Sequence, residues 1–284
     1  MWIRSRANSP HPASATSTTR KTSMENWNPK PLDPGMIQLH RRGNGKPLVM
    51  IHCLGQSWRL WDVLDPLMDR NELIGYSLPG HPGTALPGHQ YGVPELTEQL
   101  RAVALREGLT KFHLIGISMG GSIAQHFAGT YPAMVDKLVL MDCSPRYDDE
   151  ARANWPVRAA AARTNGVKSL IPTLMEIFFT EGSRNENGPN VRHVRETFEA
   201  CENEGYALAC EALATLDARG QTKKIAAKTL IMLGSAERQS FKDAAKWMNE
   251  TIPNSKLVEV PVAGHASVRE RPAFVVEQLR AFLD

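Results

Sequence analysis

Residues 113–125 read HLIGISMGGSIAQ, an apolar run that ends at a serine between two glycines and continues in small residues. Gly116, Ser118 and Gly120 form the pattern G-x-S-x-G, with a strand pattern before it and a helical pattern after it. A strand-to-helix turn this tight strains the backbone of its central residue and leaves no space for side chains at the flanking positions. The stretch therefore predicts that Ser118 points outward from the edge of a sheet, at the start of a helix.

The pattern around this stretch predicts an α/β fold. From Met36 onward, short runs rich in Val, Ile and Leu alternate with longer segments of helical period. This alternation is typical of a mostly parallel sheet flanked by helices. The predicted strands are residues 36–40, 47–52, 72–76, 112–117, 137–141, 228–233 and 256–260, and helices are predicted at 119–130, 241–251 and 272–283.

The alternation divides the chain into three parts. Residues 36–143 and 223–284 form the predicted α/β core, and residues 144–222 contain helical patterns only. We interpret the latter as a helical lid at the carboxyl edge of the sheet, where open α/β sheets bind ligands. Residues 1–35 are predicted to be a disordered tail, because the segment up to Ser23 is rich in Ser, Thr and Arg and lacks acidic residues. A transit peptide, or a segment that precedes a true start at Met24, remains an alternative.

Composition excludes several classes of protein. The chain has 284 residues, of which 42% are hydrophobic, and its 33 basic and 30 acidic residues give a net charge of +3. This balance argues against a nucleic-acid partner. The apolar runs are far shorter than the roughly 20 residues that cross a bilayer. Four scattered cysteines indicate neither a disulfide framework nor a metal site. We therefore expect a cytoplasmic protein with no cofactor, no metal and no membrane contact.

A nucleophilic serine needs a base and a carboxylate that orients the base. His265 follows the last predicted strand and is the candidate base. Glu237 and Asp142 each follow another predicted strand and are both candidates for the acid. Glu237 is preferred because the strand before the histidine is the commoner place for the acid in a sheet of this kind, whereas Asp142 can also cap the next segment.

An oxyanion hole needs two backbone N–H groups near the nucleophile. One is predicted at Met119, directly after the serine, and the other at Leu54 in VMIHCLGQSW, the loop after an early strand. His52 is interpreted as an anchor of that loop. Cys53 is a weaker candidate nucleophile, since no glycine turn surrounds it.

With these residues in place, the chain resembles the α/β-hydrolase superfamily over residues 36–284. Within it, the chain is most similar to 3-oxoadipate enol-lactonases and related serine hydrolases. The similarity lies in CLGQSWRLWD (53–62), GISMGGSIAQHFAGTYPAMVDKLVL (116–140), EGYALACEALATLD (204–217), and Trp155 and Arg158 at the start of the lid. Members of that family commonly have aspartate where this chain has Glu237, so Asp142 stays open as the acid.

The resemblance implies a lactonase or esterase that acts on a small lactone or ester carrying a carboxylate, in the breakdown of aromatic compounds. Ser118 would form an acyl-enzyme and His265 would then activate water, while Trp155 and Arg158 would contact the substrate and Arg158 would pair with its carboxylate. A carboxylesterase or C–C bond hydrolase with the same triad is one alternative, and a non-catalytic ligand-binding protein is another. The expected partner is a small-molecule substrate, and whether the chain forms a homo-oligomer stays open.

Overall fold

The computed structural model describes residues 27–284, and residues 1–26 of the predicted tail lie outside the described residues. Its centre is a sheet of seven strands in the order β1-β3-β2-β4-β5-β6-β7. All neighbouring strands are parallel except β1, which pairs antiparallel with β3 at one edge. The strands are β1 His40–Arg42, β2 Lys46–Ile51, β3 Asn71–Tyr76, β4 Phe112–Ile117, β5 Val135–Met141, β6 Lys228–Gly234 and β7 Ser255–Val260. The predicted α/β fold with a mostly parallel sheet is confirmed.

Helices connect the strands of the sheet, and six of them form one continuous run in the chain. The helices are α1 Val93–Arg106, α2 Met119–Thr130, α3 Asp149–Asn165, α4 Ile171–Phe178, α5 Glu181–Glu186, α6 Pro189–Glu199, α7 Asn203–Ala214, α8 Arg219–Thr222, α9 Gln239–Thr251, α10 Ser267–Glu270 and α11 Pro272–Leu283. Helices α3 to α8 all lie between β5 and β6, in the interval that the sequence interpretation called the lid. No helix within residues 27–284 is long and apolar enough to span a membrane.

Two parts of the fold differ from the sequence-based expectation. The predicted first strand at residues 36–40 is wrong: Met36 ends a short 3₁₀ turn that begins at Pro34, and the strand starts at His40. The turn forms because the Asp33 carboxylate accepts a hydrogen bond from the Gly35 amide at 2.7 Å. A long 3₁₀ segment, Trp58–Leu67, was not predicted either, although it buries Trp61 and three leucines.

The described end of the predicted tail is packed on the core. The Lys30 amide donates to the Gln90 carbonyl at 3.0 Å, and the Gln99 side chain donates to the Asp33 carbonyl at 2.9 Å. Leu32 is buried. Residues 27–35 therefore belong structurally with the core, because an apolar side chain and backbone hydrogen bonds hold them there.

The loop between β7 and α10 contains a strained residue. Val262 has φ +51° and is 62% exposed. Left-handed backbone costs an L-residue about 1–2 kcal/mol, and a β-branched residue has no local hydrogen bond to offset that cost. The Val262 amide nevertheless donates to the Ser235 hydroxyl at 2.9 Å, so the loop that follows β6 stabilises this conformation.

Val262→Gly should therefore raise the free energy of unfolding by about 1 kcal/mol, since glycine adopts this conformation without strain and the exposed side chain contributes little packing. Urea unfolding followed by circular dichroism measures the change. Asn187→Gly is the matched control, because Asn187 also has positive φ, at +47°, but asparagine tolerates it. Equal gains at both positions would contradict the assignment of strain to Val262.

Candidate active site

Ser118 lies in the turn between β4 and α2. Its φ is +54°, and its amide donates to the Met141 carbonyl at the end of β5. The turn is tight because Gly116 has no side chain: a Cβ there would lie 2.2 Å from the Gly120 carbonyl oxygen. The serine is 6% exposed and its side chain faces a cavity above the sheet.

The structure brings Ser118, His265 and Glu237 into one hydrogen-bonded chain. His265 Nε2 lies 2.8 Å from Ser118 Oγ, and His265 Nδ1 lies 2.6 Å from Glu237 Oε2. The second carboxylate oxygen of Glu237 accepts from the Arg238 amide at 2.9 Å. In this arrangement Nδ1–H donates to the carboxylate, and Nε2 is free to accept the serine proton.

Glu237 and His265, the two ionisable residues of this hydrogen-bonded triad, shift each other's pKa. Burial raises the pKa of the Glu237 carboxyl, but the adjacent His265 and its hydrogen bond outweigh burial and leave that pKa below its usual value. Burial lowers the pKa of His265, but the Glu237 charge and hydrogen bond outweigh it and leave the pKa above its usual value. Glu237 is thus a carboxylate at neutral pH, and His265 is a stronger base than a free imidazole.

Asp142, the alternative acid, has other partners. Its Oδ1 accepts from the Gly234 amide at 2.8 Å, and its Oδ2 is bonded to the Ser267 hydroxyl. Among the described residues it makes no hydrogen bond to His265. Burial and the nearby Glu237 charge raise the pKa of Asp142 to about 7. The carboxylate that orients the imidazole in this structure is that of Glu237.

Two backbone amides remain unused beside the serine. Neither the Leu54 amide nor the Met119 amide donates a hydrogen bond to any group in residues 27–284. Leu54 lines the same cavity as Ser118, and Met119 is the first residue of α2. Unpaired N–H groups at a helix start and in a neighbouring loop can together hold a developing oxyanion.

His52 holds the loop that carries Leu54. Burial keeps the pKa of His52 well below its usual value, so the ring is neutral. Its Nε2 accepts from the Leu78 amide at 2.8 Å, which leaves Nδ1–H to donate to the Cys53 carbonyl at 2.7 Å. Cys53 itself is buried, and burial raises the pKa of its thiol, so it is not a reactive thiolate.

A cavity of about 590 Å³ lies between the triad and the helices that follow β5. Trp155 and Arg158 of α3 both line it, and the Arg158 guanidinium lies 4.9 Å from the centroid of the Trp155 ring. Arg146 and Arg219 also line the cavity, but each is paired with an aspartate at 2.6 Å. Within the described part of the chain, Arg158 and Arg238 both line the cavity without an ion pair. Arg158 is half-buried against Trp155, whereas Arg238 is exposed.

The comparisons with known proteins agree with this geometry. Residues 48–278 match the alpha/beta hydrolase family. The chain belongs to this family. It is 27% identical over 226 residues to 3-oxoadipate enol-lactonase 2 of Acinetobacter baylyi, covering 79% of this chain and 84% of that one. It is also 27% identical to pimeloyl-(acyl-carrier protein) methyl ester esterase of Aeromonas salmonicida, covering 87% and 99%.

The fold matches as well. The crystal structure of the enol-lactonase from Burkholderia xenovorans LB400 superposes with a TM-score of 0.83 at 22% identity, covering 87% of this chain and 96% of that one. The resemblance to the α/β-hydrolase superfamily and to enol-lactonases within it is thereby confirmed.

Sequence reasoning missed the aromatic walls of this alpha/beta hydrolase site. Phe178 from α4 and Phe241 from α9 place their ring centroids 5.4 and 4.9 Å from that of His265, both edge-on. Neither residue belongs to a recognisable motif, and their separation in sequence from His265 does not indicate that they contact it. Both rings pack against the imidazole of His265, which is 5% exposed and lines the cavity.

Proposed function

We propose that this protein is a serine hydrolase that cleaves a small lactone or ester carrying a carboxylate. The observation that supports it most is the hydrogen-bonded chain Ser118–His265–Glu237 beneath a cavity that also contains the unpaired Arg158. The names of the relatives, an enol-lactonase and a methyl ester esterase, both denote cleavage of an ester bond.

The first half of the reaction acylates the serine. His265 Nε2 removes the proton of Ser118 as Oγ attacks the carbonyl carbon, and Glu237 stabilises the imidazolium that forms. The Leu54 and Met119 amides hold the negative oxygen of the tetrahedral intermediate. When it collapses, the C–O bond of the ester or lactone breaks and the His265 imidazolium gives its proton to the leaving oxygen, so the base is neutral again. An enol oxygen needs this assistance less than an alkoxide, because an enolate is the better leaving group.

The second half releases the product. The alcohol of an ester departs at this stage, whereas the enol oxygen of an opened lactone stays attached to the acyl group and moves aside. Water then enters beside His265, which removes its proton as the oxygen attacks the acyl carbon. Collapse of the second intermediate returns the proton to Ser118 and frees the acid. Arg158 lies in the cavity wall beside Trp155, where a bidentate pair with the substrate carboxylate fixes the orientation of the carbonyl.

Ser118→Ala should fold normally and lose nearly all turnover of a lactone or ester panel, because only binding and the oxyanion hole remain. Steady-state kinetics and covalent labelling by a fluorophosphonate measure this. Turnover above a few per cent of wild type in pure variant protein would contradict the serine mechanism. A wild-type protein that neither turns over nor becomes labelled would support the non-catalytic binding alternative.

Glu237→Gln should lower kcat by about 10³ to 10⁴, since the amide keeps the shape but removes the charge that stabilises imidazolium. Asp142→Asn is the matched control and should cost tenfold or less in kcat, because Asp142 bonds Gly234 and Ser267 and not the ring. Rate measurements on both purified variants decide the assignment. The opposite ranking would transfer the acid role to Asp142.

Arg158→Met should lower kcat/KM for a carboxylate-bearing lactone roughly 30-fold, which corresponds to about 2 kcal/mol. The kcat/KM for a neutral ester of similar size should stay almost unchanged. Methionine keeps most of the apolar stem and removes the charge alone. Arg146→Met is the control, since Arg146 lines the same cavity but is already paired with Asp149. Equal losses of Arg158→Met on the two substrates would make Arg158 a packing residue and would favour the carboxylesterase alternative.

A further inference from the structure

The lid touches the loop of His265 directly. The end of α4 meets this loop where the Ala266 amide donates to the Phe178 carbonyl at 2.8 Å. The Phe178 ring also packs edge-on against the imidazole. On the other side of the histidine, a Cβ added to Gly264 would lie 3.1 Å from the same Phe178 carbonyl oxygen. The backbone on both sides of His265 is thus in contact with one lid residue.

The buried carboxylate of Glu270 bridges the two segments that meet here. Glu270, the last residue of α10, is 8% exposed. Its Oε2 accepts from the Gly264 amide at 2.6 Å, and its Oε1 accepts from the Thr180 amide at 2.9 Å and from the Thr180 hydroxyl. Thr180 follows α4 in the lid, and Gly264 directly precedes His265. Glu270 therefore joins two segments that are far apart in the chain.

The three donors explain how this carboxylate stays buried. An ionised carboxylate in a dry site is costly unless donors satisfy its oxygens. Both oxygens of Glu270 are used, one toward the lid and one toward the loop of His265. A change that removes one acceptor must release one of the two segments, because an unpaired buried N–H group costs free energy as well.

We propose that Glu270 is a positioning residue that clamps lid residues 178–180 to the loop of His265 and so holds the imidazole between Ser118 and Glu237. The inference rests on the proposed function, in which His265 is the base. It makes the alignment of the base depend on the position of the lid, since Phe178 is at once a cavity wall and an acceptor for Ala266.

Glu270→Gln tests the clamp. Glutamine has the same shape, but one acceptor oxygen is replaced by an NH₂ group that opposes an N–H donor. For para-nitrophenyl acetate, kcat should fall roughly tenfold while KM stays within about twofold, because a displaced base weakens the transition state and not the binding of a small ester. The rate of fluorophosphonate labelling of Ser118 should fall by the same factor.

Two further variants separate positioning from stability. Glu211→Gln is the matched control: Glu211 is also 8% exposed and also joins two elements, α7 and α3, through Arg163, but away from His265. It should lower the melting temperature without changing kcat or the labelling rate. Thr180→Val removes the hydroxyl donor from the clamp, together with a 3.2 Å contact to the Ser183 hydroxyl, and should slow labelling by about threefold.

Each outcome decides the proposal. A Glu270→Gln protein that melts earlier but is labelled at the wild-type rate would overturn it and leave a structural role. If that variant does not fold, Thr180→Val decides, and an unchanged labelling rate there overturns the clamp. A wild-type protein that fluorophosphonate does not label removes the proposed function and the clamp together, whereas a labelled wild type with unaffected variants removes the clamp alone.

Discussion

The close contact between α2 and the end of β2 is the constraint on which the rest of the site depends. A Cβ on Gly120 would lie 2.1 Å from the Ile51 carbonyl oxygen and 2.6 Å from that of His52. Only glycine allows the helix to sit this near the neighbouring strand. Because it does, the start of α2 and the loop that carries Leu54 reach the same point above the sheet. The left-handed backbone of Ser118 follows from the same turn and costs about 1–2 kcal/mol.

Three buried carboxylates then hold together the loops at the carboxyl edge of the sheet, each in a different way. Glu237 bonds the imidazole, Asp142 joins the ends of β5 and β6 to Ser267, and Glu270 joins the loop of His265 to the lid. Two carboxylates near one another cannot ionise equally in a dry environment. Glu237 has the imidazole beside it and keeps its charge, while the pKa of Asp142 rises to about 7. The difference in partners separates the two acids that the sequence left as alternatives.

The structural features that depend on short stretches of sequence, such as strands and tight turns, could be predicted. Six strands were placed within two residues of their observed ends, because buried parallel strands are continuous apolar runs. The turn at Ser118 was predicted because its glycines and its flanking elements lie within one segment. The edge strand β1 was misplaced because it has only three residues and pairs with β3 alone. Phe178 and Glu270 could not be predicted, because they act through contacts between the lid and the loop of His265.

The burial of the site constrains the order of events in the proposed reaction. Ser118 and His265 are 6% and 5% exposed, and both line the cavity that also contains Arg158. Phe178 and Phe241 pack edge-on against the imidazole and line the same cavity. In the proposed reaction His265 therefore meets the leaving oxygen and then water in the same confined space. The alcohol of an ester departs before water enters, and the enol oxygen of an opened lactone, which stays attached to the acyl group, moves aside. The ester bond to Ser118 holds the acyl carbon beside the imidazole while the leaving oxygen is replaced by water.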